Sequence, residues 1–368
     1  MIIILLAVIT FFGVKFAPKN DFFDNSFSVD QTRALKGLFA IVVMFHHLYG
    51  YLVPTFLSIK YFKDVGHLMV GGFFLISGYG LMYGVKNKAG YLKGFFRKRI
   101  LAIIIPYYVI DIFYIAMRYA RSTDMAAFKT FVIESLFGMQ LWFVPVMVLL
   151  YLLFRLSFIG HEKRNCKLIS PIILTSVTLI FVIGFTHTQH MGFNVLYGSN
   201  WNDTALCFVV GMWYCILKDK ITAFLKKYYY VITAIALVAF AVTFIGICRI
   251  PEGYEWPTKI STLSLKAFSA IFFSVVVLLL SMKVHLGNGL LNLCGDLSFE
   301  LYLSHAIFID LLRWGPITMF SRNFEIFVQD NDLYFTGILV CSLVFSFVVH
   351  KLCGLVLKPL RRSTVKKA

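Results

Sequence analysis

Residues 36–47 read KGLFAIVVMFHH, and this stretch indicates both the fold and the chemistry of the chain. A lysine and two adjacent histidines bracket an apolar run of the kind that forms a membrane-spanning helix. Ionisable side chains at membrane depth are costly, and where a chain retains them they mark functional sites. The stretch therefore predicts a transmembrane helix with a chemical role.

The composition places the whole chain among membrane proteins. Of its 368 residues, 59% are hydrophobic and only 14% are charged, with a mean hydropathy of +0.80. This leaves too little polar surface to coat a soluble globule. The net charge of +17 falls in short basic clusters between apolar runs. Such clusters indicate membrane topology, whereas a nucleic-acid-binding protein would show a basic face on a soluble domain, so we expect no nucleic-acid partner.

The seven cysteines show no short-spaced pair. Disulfide frameworks and zinc sites depend on such spacing, so these cysteines are better explained as small packing residues. We expect no metal cofactor.

Apolar segments long enough to cross a bilayer, which takes about 20 helical residues, recur along the chain. We predict an all-α fold, a polytopic transmembrane helical bundle of ten core helices. The predicted spans are residues 35–52, 68–85, 100–117, 141–159, 168–186, 204–217, 230–247, 265–281, 290–312 and 334–357. Residues 1–16 form an extra apolar segment without the features of a signal peptide, and either an added span or an interfacial helix fits it.

The basic clusters alternate with loops that lack excess positive charge. They occupy residues 86–99, 155–167, 218–227 and 351–367. Because lysine and arginine accumulate on the cytoplasmic side, these loops and the C-terminus are expected in the cytoplasm. Residues 187–203 contain no lysine or arginine and residues 310–332 are net acidic, so both are expected outside. Arg33 and Lys36 then lie at the cytoplasmic mouth of the first core helix.

The first core helix places two ionisable side chains on one face. Lys36 and His47 are 11 residues apart, which at about 100° per residue returns them to within about 20° of each other, about 16 Å apart along the axis. Arg33 lies near that face, whereas His46 points away from it, so the two histidines are not expected to do the same job. An imidazole at this depth suits proton removal from a hydroxyl. Alternatively, His47 only hydrogen-bonds a neighbouring helix and Lys36 snorkels to the headgroups.

Four further motifs follow in order along the chain. They are FFLISGY at 73–79, a basic loop entering a Pro-Tyr helix at 97–107, LWF at 141–143 and LSFELYLSH at 297–305. Together with the Lys36–His47 spacing, this set resembles the integral-membrane acyltransferase family 3, whose members acylate glycans and other hydroxyl acceptors using acyl-CoA. The resemblance covers nearly all of the chain from about Asp30.

The resemblance implies an O-acyltransferase that moves an acyl group, here taken as acetyl, from cytoplasmic acyl-CoA to a hydroxyl of a surface glycan or lipid-linked sugar. His47 and Lys36 are the expected catalytic residues, with His47 as general base on the acceptor or on a bound intermediary. The phosphates of acetyl-CoA suit a basic mouth. The residues expected to bind this donor are Arg33, Lys36, Arg97, Lys98 and Arg99.

Three positions depart from the family pattern. Lys36 replaces the usual Arg, which keeps the positive charge but loses the bidentate fork that suits phosphate. Many members have a pair of arginines at the positions of Arg99 and Ala102. Because Ala102 lacks the charge, donor binding is expected to depend more on Arg97 and Lys98. Gly71 stands where some members carry an acidic residue.

Five further residues are candidates for the substrate path: Ser77, Trp142, Glu300, Tyr302 and His305. Ser77 fits close helix packing as well as catalysis, and Trp142 fits an aromatic belt as well as a substrate wall. Glu300 and His305 are roughly opposed on a regular helix, so they are not expected to form one dyad. Glu300 is expected to pair with a basic residue of another helix, whereas His305 lines an acceptor path or only stacks at the interface.

We divide the chain into an apolar segment with a polar linker (1–32), an acyltransferase-3-like transmembrane domain (33–358) and a basic cytoplasmic tail (359–368). The expected location is a bacterial inner or plasma membrane. The expected partners are acyl-CoA, a hydroxylated acceptor and the lipid bilayer, and a homo-oligomer is possible.

A transporter or exporter of glycans or small molecules would share the topology, although the sequence lacks the repeated halves common in transporters. A non-catalytic assembly protein would leave the buried ionisable residues unexplained.

Overall fold

The computed structural model describes residues 2–52, 57–121, 124–138, 141–161, 167–190, 204–250, 258–313, 315–319 and 322–362. Most of the predicted outer loop 187–203 and residues 363–368 of the predicted tail lie outside these ranges. The helices are α1 (Ile2–Phe11), α2 (Val29–Leu52), α3 (Gly66–Asn87), α4 (Leu101–Arg121), α5 (Met125–Leu136), α6 (Phe143–Ser157), α7 (Ile169–His190), α8 (Leu206–Ile216), α9 (Lys218–Lys227), α10 (Tyr229–Arg249), α11 (Thr258–Lys283), α12 (Gly289–Asp296), α13 (Ser298–Leu311) and α14 (Asn331–Arg362).

Short elements connect these helices. A 3-10 helix (Leu57–Phe62) precedes α3, and a π-helical turn (Phe96–Ile100) leads into α4. Strands β1 (Lys15–Phe16) and β2 (Val284–His285) pair antiparallel, as do β3 (Gly315–Met319) and β4 (Arg322–Ile326), with Gly315 opposite Ile326. The strands are confined to these two small ribbons in the part of the chain described.

The all-α membrane bundle predicted from the sequence is confirmed. Within the described residues, six helices are long and apolar enough to cross a membrane, and α6, α8 and the Ile169–Gly184 part of α7 are shorter apolar helices. The six are Val29–Leu52, Gly66–Asn87, Phe96–Ala120, Tyr229–Arg249, Ser264–Lys283 and Asn331–Pro359. The predicted span 290–312 is divided into α12 and α13, which meet at Leu297.

The N-terminal apolar segment forms a short helix fastened to the bundle. At about 1.5 Å per residue, the 10 residues of α1 reach about half of a hydrocarbon core, so this helix is too short to cross a membrane alone. The Asn288 side-chain amide donates to the carbonyl oxygens of Ile9 at 2.7 Å and Phe12 at 3.0 Å. These bonds satisfy free carbonyls at the end of α1 and hold it next to the start of α12.

Helices α2 and α3 run antiparallel and define the two ends of the bundle. Gly66 at the start of α3 lies against the His46 ring, Gly72 lies against Phe39, and the Tyr79 ring packs 5.1 Å from that of Phe27. We call the end that holds residues 29–36 and 86–100 the basic end, and the end that holds residues 46–67 the histidine end.

Glycines allow two helix pairs to approach very closely. A Cβ atom on Gly78 of α3 would overlap the Phe208 carbonyl of α8, and one on Gly211 of α8 would overlap the Leu75 carbonyl. Gly37 of α2 lies in the same way against α12. Small residues permit such backbone contact in membrane helices. These crossings set the positions of α2 and α3, which carry most of the histidines described below.

Helix α13 is held by polar contacts to its neighbours. The Ser304 and Ser346 hydroxyls lie 2.9 Å apart, Tyr334 donates to the Ile309 carbonyl at 2.9 Å, and Tyr114 donates to the Leu303 carbonyl at 3.1 Å. These bonds connect α13 to α14 and to α4. Helix α13 also packs against α2, which brings its residues Tyr302 and His305 beside that helix.

Candidate active site

A cavity of about 170 Å³ lies at the histidine end of the bundle. It is lined by residues that are distant in sequence: Val43, His46, His47, Lys63, Asp64, Gly66, His67, Val70, Trp142, Lys266 and Tyr302. Titratable side chains dominate this lining, whereas most of the buried residues in the described structure are apolar. Concave sites with converging polar groups are the usual places for binding and catalysis, so the cavity is the candidate active site.

His47 and His305 form a close pair of rings beside the cavity. His47 is solvent-accessible, and its ring centre lies 5.0 Å from that of His305, which is buried. Nδ1 of His305 is 3.0 Å from the Leu301 carbonyl oxygen. Because a carbonyl can only accept, this bond places a proton on Nδ1 and leaves Nε2 of a neutral His305 as an acceptor. That Nε2 is buried and has no hydrogen-bond partner within the described structure.

His46 lines the same cavity as His47, with their ring centres 5.0 Å apart. Its Nδ1 is 3.0 Å from the Phe62 carbonyl oxygen, and its ring packs on Gly66. The expectation that His46 points away from the site therefore needs correction. The 3-10 helix and the start of α3 fold over the end of α2, so the cavity reaches two faces of that helix. His46 is held by these neighbours, whereas His47 remains accessible.

Three of the predicted substrate-path residues meet at this cavity and two do not. Trp142 and Tyr302 line it, and the His305 ring packs against the ring of His47 with centres 5.0 Å apart. Ser77 instead hydrogen-bonds Tyr151. Glu300 is 5% exposed and pairs with Nδ1 of His350 on α14 at 2.9 Å, so a neighbouring helix supplies its partner.

The sequence interpretation did not discuss four titratable residues of the cavity: Lys63, Asp64, His67 and Lys266. His67 comes one residue before a predicted span, and Lys266 lies at the start of another. The principle that an ionisable residue in a membrane span marks function would have identified Lys266, which belongs to none of the five motifs. Among the residues described, no group of three or more His, Cys, Asp or Glu side chains is arranged to hold a metal ion.

Lys36 and Arg33 lie at the basic end, and neither lines the cavity. Nε of Arg33 is 3.0 Å from a carboxylate oxygen of Asp296, and its Nη1 is 3.4 Å from Asp30. Lys36 is partly buried and interacts electrostatically with Asp296 and Glu300. The structure thus does not bring Lys36 to His47, and the two remain separated along α2 by about 16 Å.

The predicted basic loop forms the π-helical turn at the basic end. The Lys98 ammonium is 3.4 Å from the Lys93 carbonyl oxygen, and the Arg99 guanidinium lies 5.3 Å from the centre of the Tyr91 ring. Burial raises the pKa of the Tyr91 hydroxyl, which stays neutral there. Arg97 is exposed. The π-helical turn therefore directs its basic side chains to different neighbours.

A second cavity, of about 250 Å³, lies next to this turn at the basic end. Its lining is Gly90, Leu92, Lys93, Arg155, Phe158, Ile159, Gly160 and His161, which includes two permanent cations and no carboxylate. Gly90 and Gly160 have φ values of 64° and 70°, which permit the tight turns that close the cavity. Phe154 stacks on both Phe95 and Phe158, so the cavity is fixed to the segment that carries the basic turn.

Gly71, one of the three positions that depart from the expected family pattern, is packed inside the bundle. A Cβ atom there would lie 3.0 Å from the Ala270 Cβ and 3.2 Å from the Cys207 sulfur. Any side chain at this position would therefore require these neighbours to move.

A protein-family model described as an acyltransferase domain matches residues 29–351. No curated protein and no solved structure matches the chain.

Proposed function

Since the chain belongs to the integral-membrane acyltransferase family 3, and is therefore a membrane-embedded acyltransferase, we propose that it moves an acetyl group from acyl-CoA to a hydroxyl of a surface glycan or lipid-linked sugar. The match confirms the family predicted from the motifs. The observation that carries the proposal is the accessible His47 in a polar cavity, backed by a buried His305 with an unused acceptor nitrogen.

In the proposed reaction, the acceptor hydroxyl attacks the thioester carbonyl carbon. A new carbon–oxygen bond forms, the carbon–sulfur bond breaks, and CoA leaves. His47 takes the hydroxyl proton as general base and returns it to the CoA sulfur. His305 positions the His47 ring from behind, because its Nε2 can accept a hydrogen bond from a protonated neighbour. Lys36 is assigned to the donor and not to the reacting atoms, given its distance from the cavity.

We assign the basic end to the cytoplasm of a bacterial cell, with the chain in the inner or plasma membrane and its C-terminus inside. The basic clusters support this orientation, because lysine and arginine accumulate on that side. The Lys86 ammonium donates to the Cys215 carbonyl at 3.1 Å and Lys218 lies 5.9 Å from the Tyr79 ring, so two of the clusters meet at one end. Acyl-CoA would then enter from the basic end, and the histidine end would face the acceptor.

The test is release of free CoA by the purified protein in lipid nanodiscs, supplied with isotope-labelled acetyl-CoA and a panel of glycan acceptors. We expect release that depends on the acceptor, with label recovered as an ester on the acceptor. An exporter without acyl transfer would leave acetyl-CoA intact, and that result would exclude the proposal.

The second cavity leads to a prediction about the donor. Arg155 and Lys93 offer two cations without a competing carboxylate, which suits the phosphates of CoA. We expect Arg155→Gln to raise the KM for acetyl-CoA about tenfold with little change in kcat, because a charge-assisted hydrogen bond contributes about 1.5–3 kcal/mol. Steady-state kinetics of CoA release measures both constants.

Lys129→Gln is the matched control for this variant, because Lys129 is an exposed lysine on α5 that lines neither cavity. Its kinetics should equal those of the unmodified protein. An unchanged KM in Arg155→Gln would instead place the donor phosphates elsewhere, with Arg33 and Arg99 as the next candidates.

A further inference from the structure

We propose that the acceptor sugar carries an anionic group, a carboxylate or a phosphate, which binds Lys266 and the start of α3 while its hydroxyl faces His47. This inference rests on the proposed function, since it names the chemical class of the acceptor for the same cavity. It depends on the charge, the backbone direction and the size of the cavity.

The charge of the cavity wall favours an anion. Lys63 and Lys266 are two lysines on this wall, and Asp64 is its one carboxylate, so lysines outnumber carboxylates in the lining. Within the described part of the chain, Lys266 has no acidic partner within ion-pair distance. The Asp64 carboxylate accepts a hydrogen bond from the Cys248 thiol at 3.8 Å. A lysine at the start of an apolar span is costly to leave unpaired, and an anionic ligand would compensate it.

The start of α3 adds to this positive potential. Helix α3 begins at Gly66, which lines the cavity, and no side chain of Val65 caps its free N–H groups. The first turn of a helix carries unpaired backbone donors and a partial positive charge, both of which favour anions. His67 lies in the same turn and also lines the cavity. Its ring hydrogen-bonds the Asp64 backbone, so the buried Nε2, which has no hydrogen-bond partner in the described structure, is an acceptor that suits a sugar hydroxyl and not the anion.

The size of the cavity limits what can enter it. Sites for drug-sized ligands usually measure about 300–1,000 Å³, whereas this cavity is about 170 Å³. A single sugar unit, at the end of a chain or free, is the size class that fits. Trp142 and Tyr302 provide broad apolar faces with polar edges, which suit a sugar ring. With the anionic group at Lys266, the hydroxyls of that unit extend toward His47.

The experiment measures binding of three labelled probes, glucuronate, glucose 6-phosphate and glucose, to the full-length protein in nanodiscs by equilibrium dialysis. We expect at least one anionic probe to bind about tenfold more tightly than glucose. Lys266→Met should reduce this preference to about twofold, Lys266→Arg should keep most of it, and Lys129→Met should leave it unchanged. The tighter of the two anionic probes identifies the group as a carboxylate or a phosphate.

Equal binding of the three probes, binding of none, or a full preference in Lys266→Met would each overturn the inference. The outcome is separable from that of the proposed function. Acetyl transfer to neutral acceptors without any anion preference would leave the acyltransferase intact and remove the anionic acceptor. A Lys266-dependent anion preference in a protein that never releases CoA would support the anionic ligand and exclude the acyltransferase function.

Discussion

Replacing His47 by alanine is expected to lower the rate of acyl transfer about 10²–10⁴-fold while the protein stays folded. A positioned general base contributes an acceleration of about this size, and no other imidazole in the cavity has the same access. His46 is held by the Phe62 carbonyl and Gly66, and His305 is buried. The measurement is kcat for CoA release with saturating acetyl-CoA, together with the melting temperature of the purified variant.

The fold should tolerate this change because His47 is already solvent-accessible. Its removal therefore opens no void in the packed core. A change at the nearby His46 cannot serve as the control that leaves activity unchanged, because His46 lines the same cavity and holds the 3-10 helix.

A better control for His47 is His285→Phe. His285 lies on β2 outside the cavity and stacks on Phe23 with ring centres 3.8 Å apart, and its buried Nε2 makes no hydrogen bond within the described structure. Phenylalanine preserves the stacking on Phe23 and removes the two ring nitrogens, of which the buried Nε2 makes no hydrogen bond in the described structure. If His47→Ala retained more than about a tenth of the normal kcat, its role as general base would have to be abandoned.

Much of the fold could be predicted from local patterns. The apolar runs of α2, α3, α10 and α14 are visible in the sequence because each helix must match the bilayer by itself. The division of the predicted span 290–312 into the two helices α12 and α13 could not be predicted from the apolar pattern. Gly295 packs against the Arg33 carbonyl and Asp296 pairs with the Arg33 side chain, so the position of α12 depends on a helix more than 250 residues earlier in the chain.

The candidate site was predicted where its residues belong to membrane-depth motifs. His47, Trp142, Tyr302 and His305 were found in that way, and the structure brings them together. The charge of Lys266 at the start of an apolar span is visible in the sequence, but its place in this cavity is not, because that place depends on the packing of α11 against α3. The helical spacing placed Lys36 on the same face as His47. The two residues are nevertheless about 16 Å apart along the helix axis, so they do not belong to one site.

The crossing of α3 and α8 leads to the largest expected effect on stability. Gly78 and Gly211 place the two backbones in direct contact, each glycine lying on a carbonyl of the other helix. A side chain at this point cannot be accommodated by rotating a neighbouring side chain, because the obstacle is backbone. The helices would have to separate, which would loosen the apolar packing along both of them.

Gly78→Ala is therefore expected to destabilise the folded protein by about 3 kcal/mol, near the upper range for overpacking a core. Gly80→Ala, two residues later on the same helix, is the matched control, because nothing lies within 4 Å of a Cβ at that position. Alanine in a helix is favoured over glycine by about 1 kcal/mol, so this control should be neutral or slightly stabilising. Melting temperature and the folded fraction recovered by size-exclusion chromatography compare the two variants. Equal melting temperatures would show that α3 and α8 do not cross at Gly78, and the placement of α3 beside the cavity would then need revision.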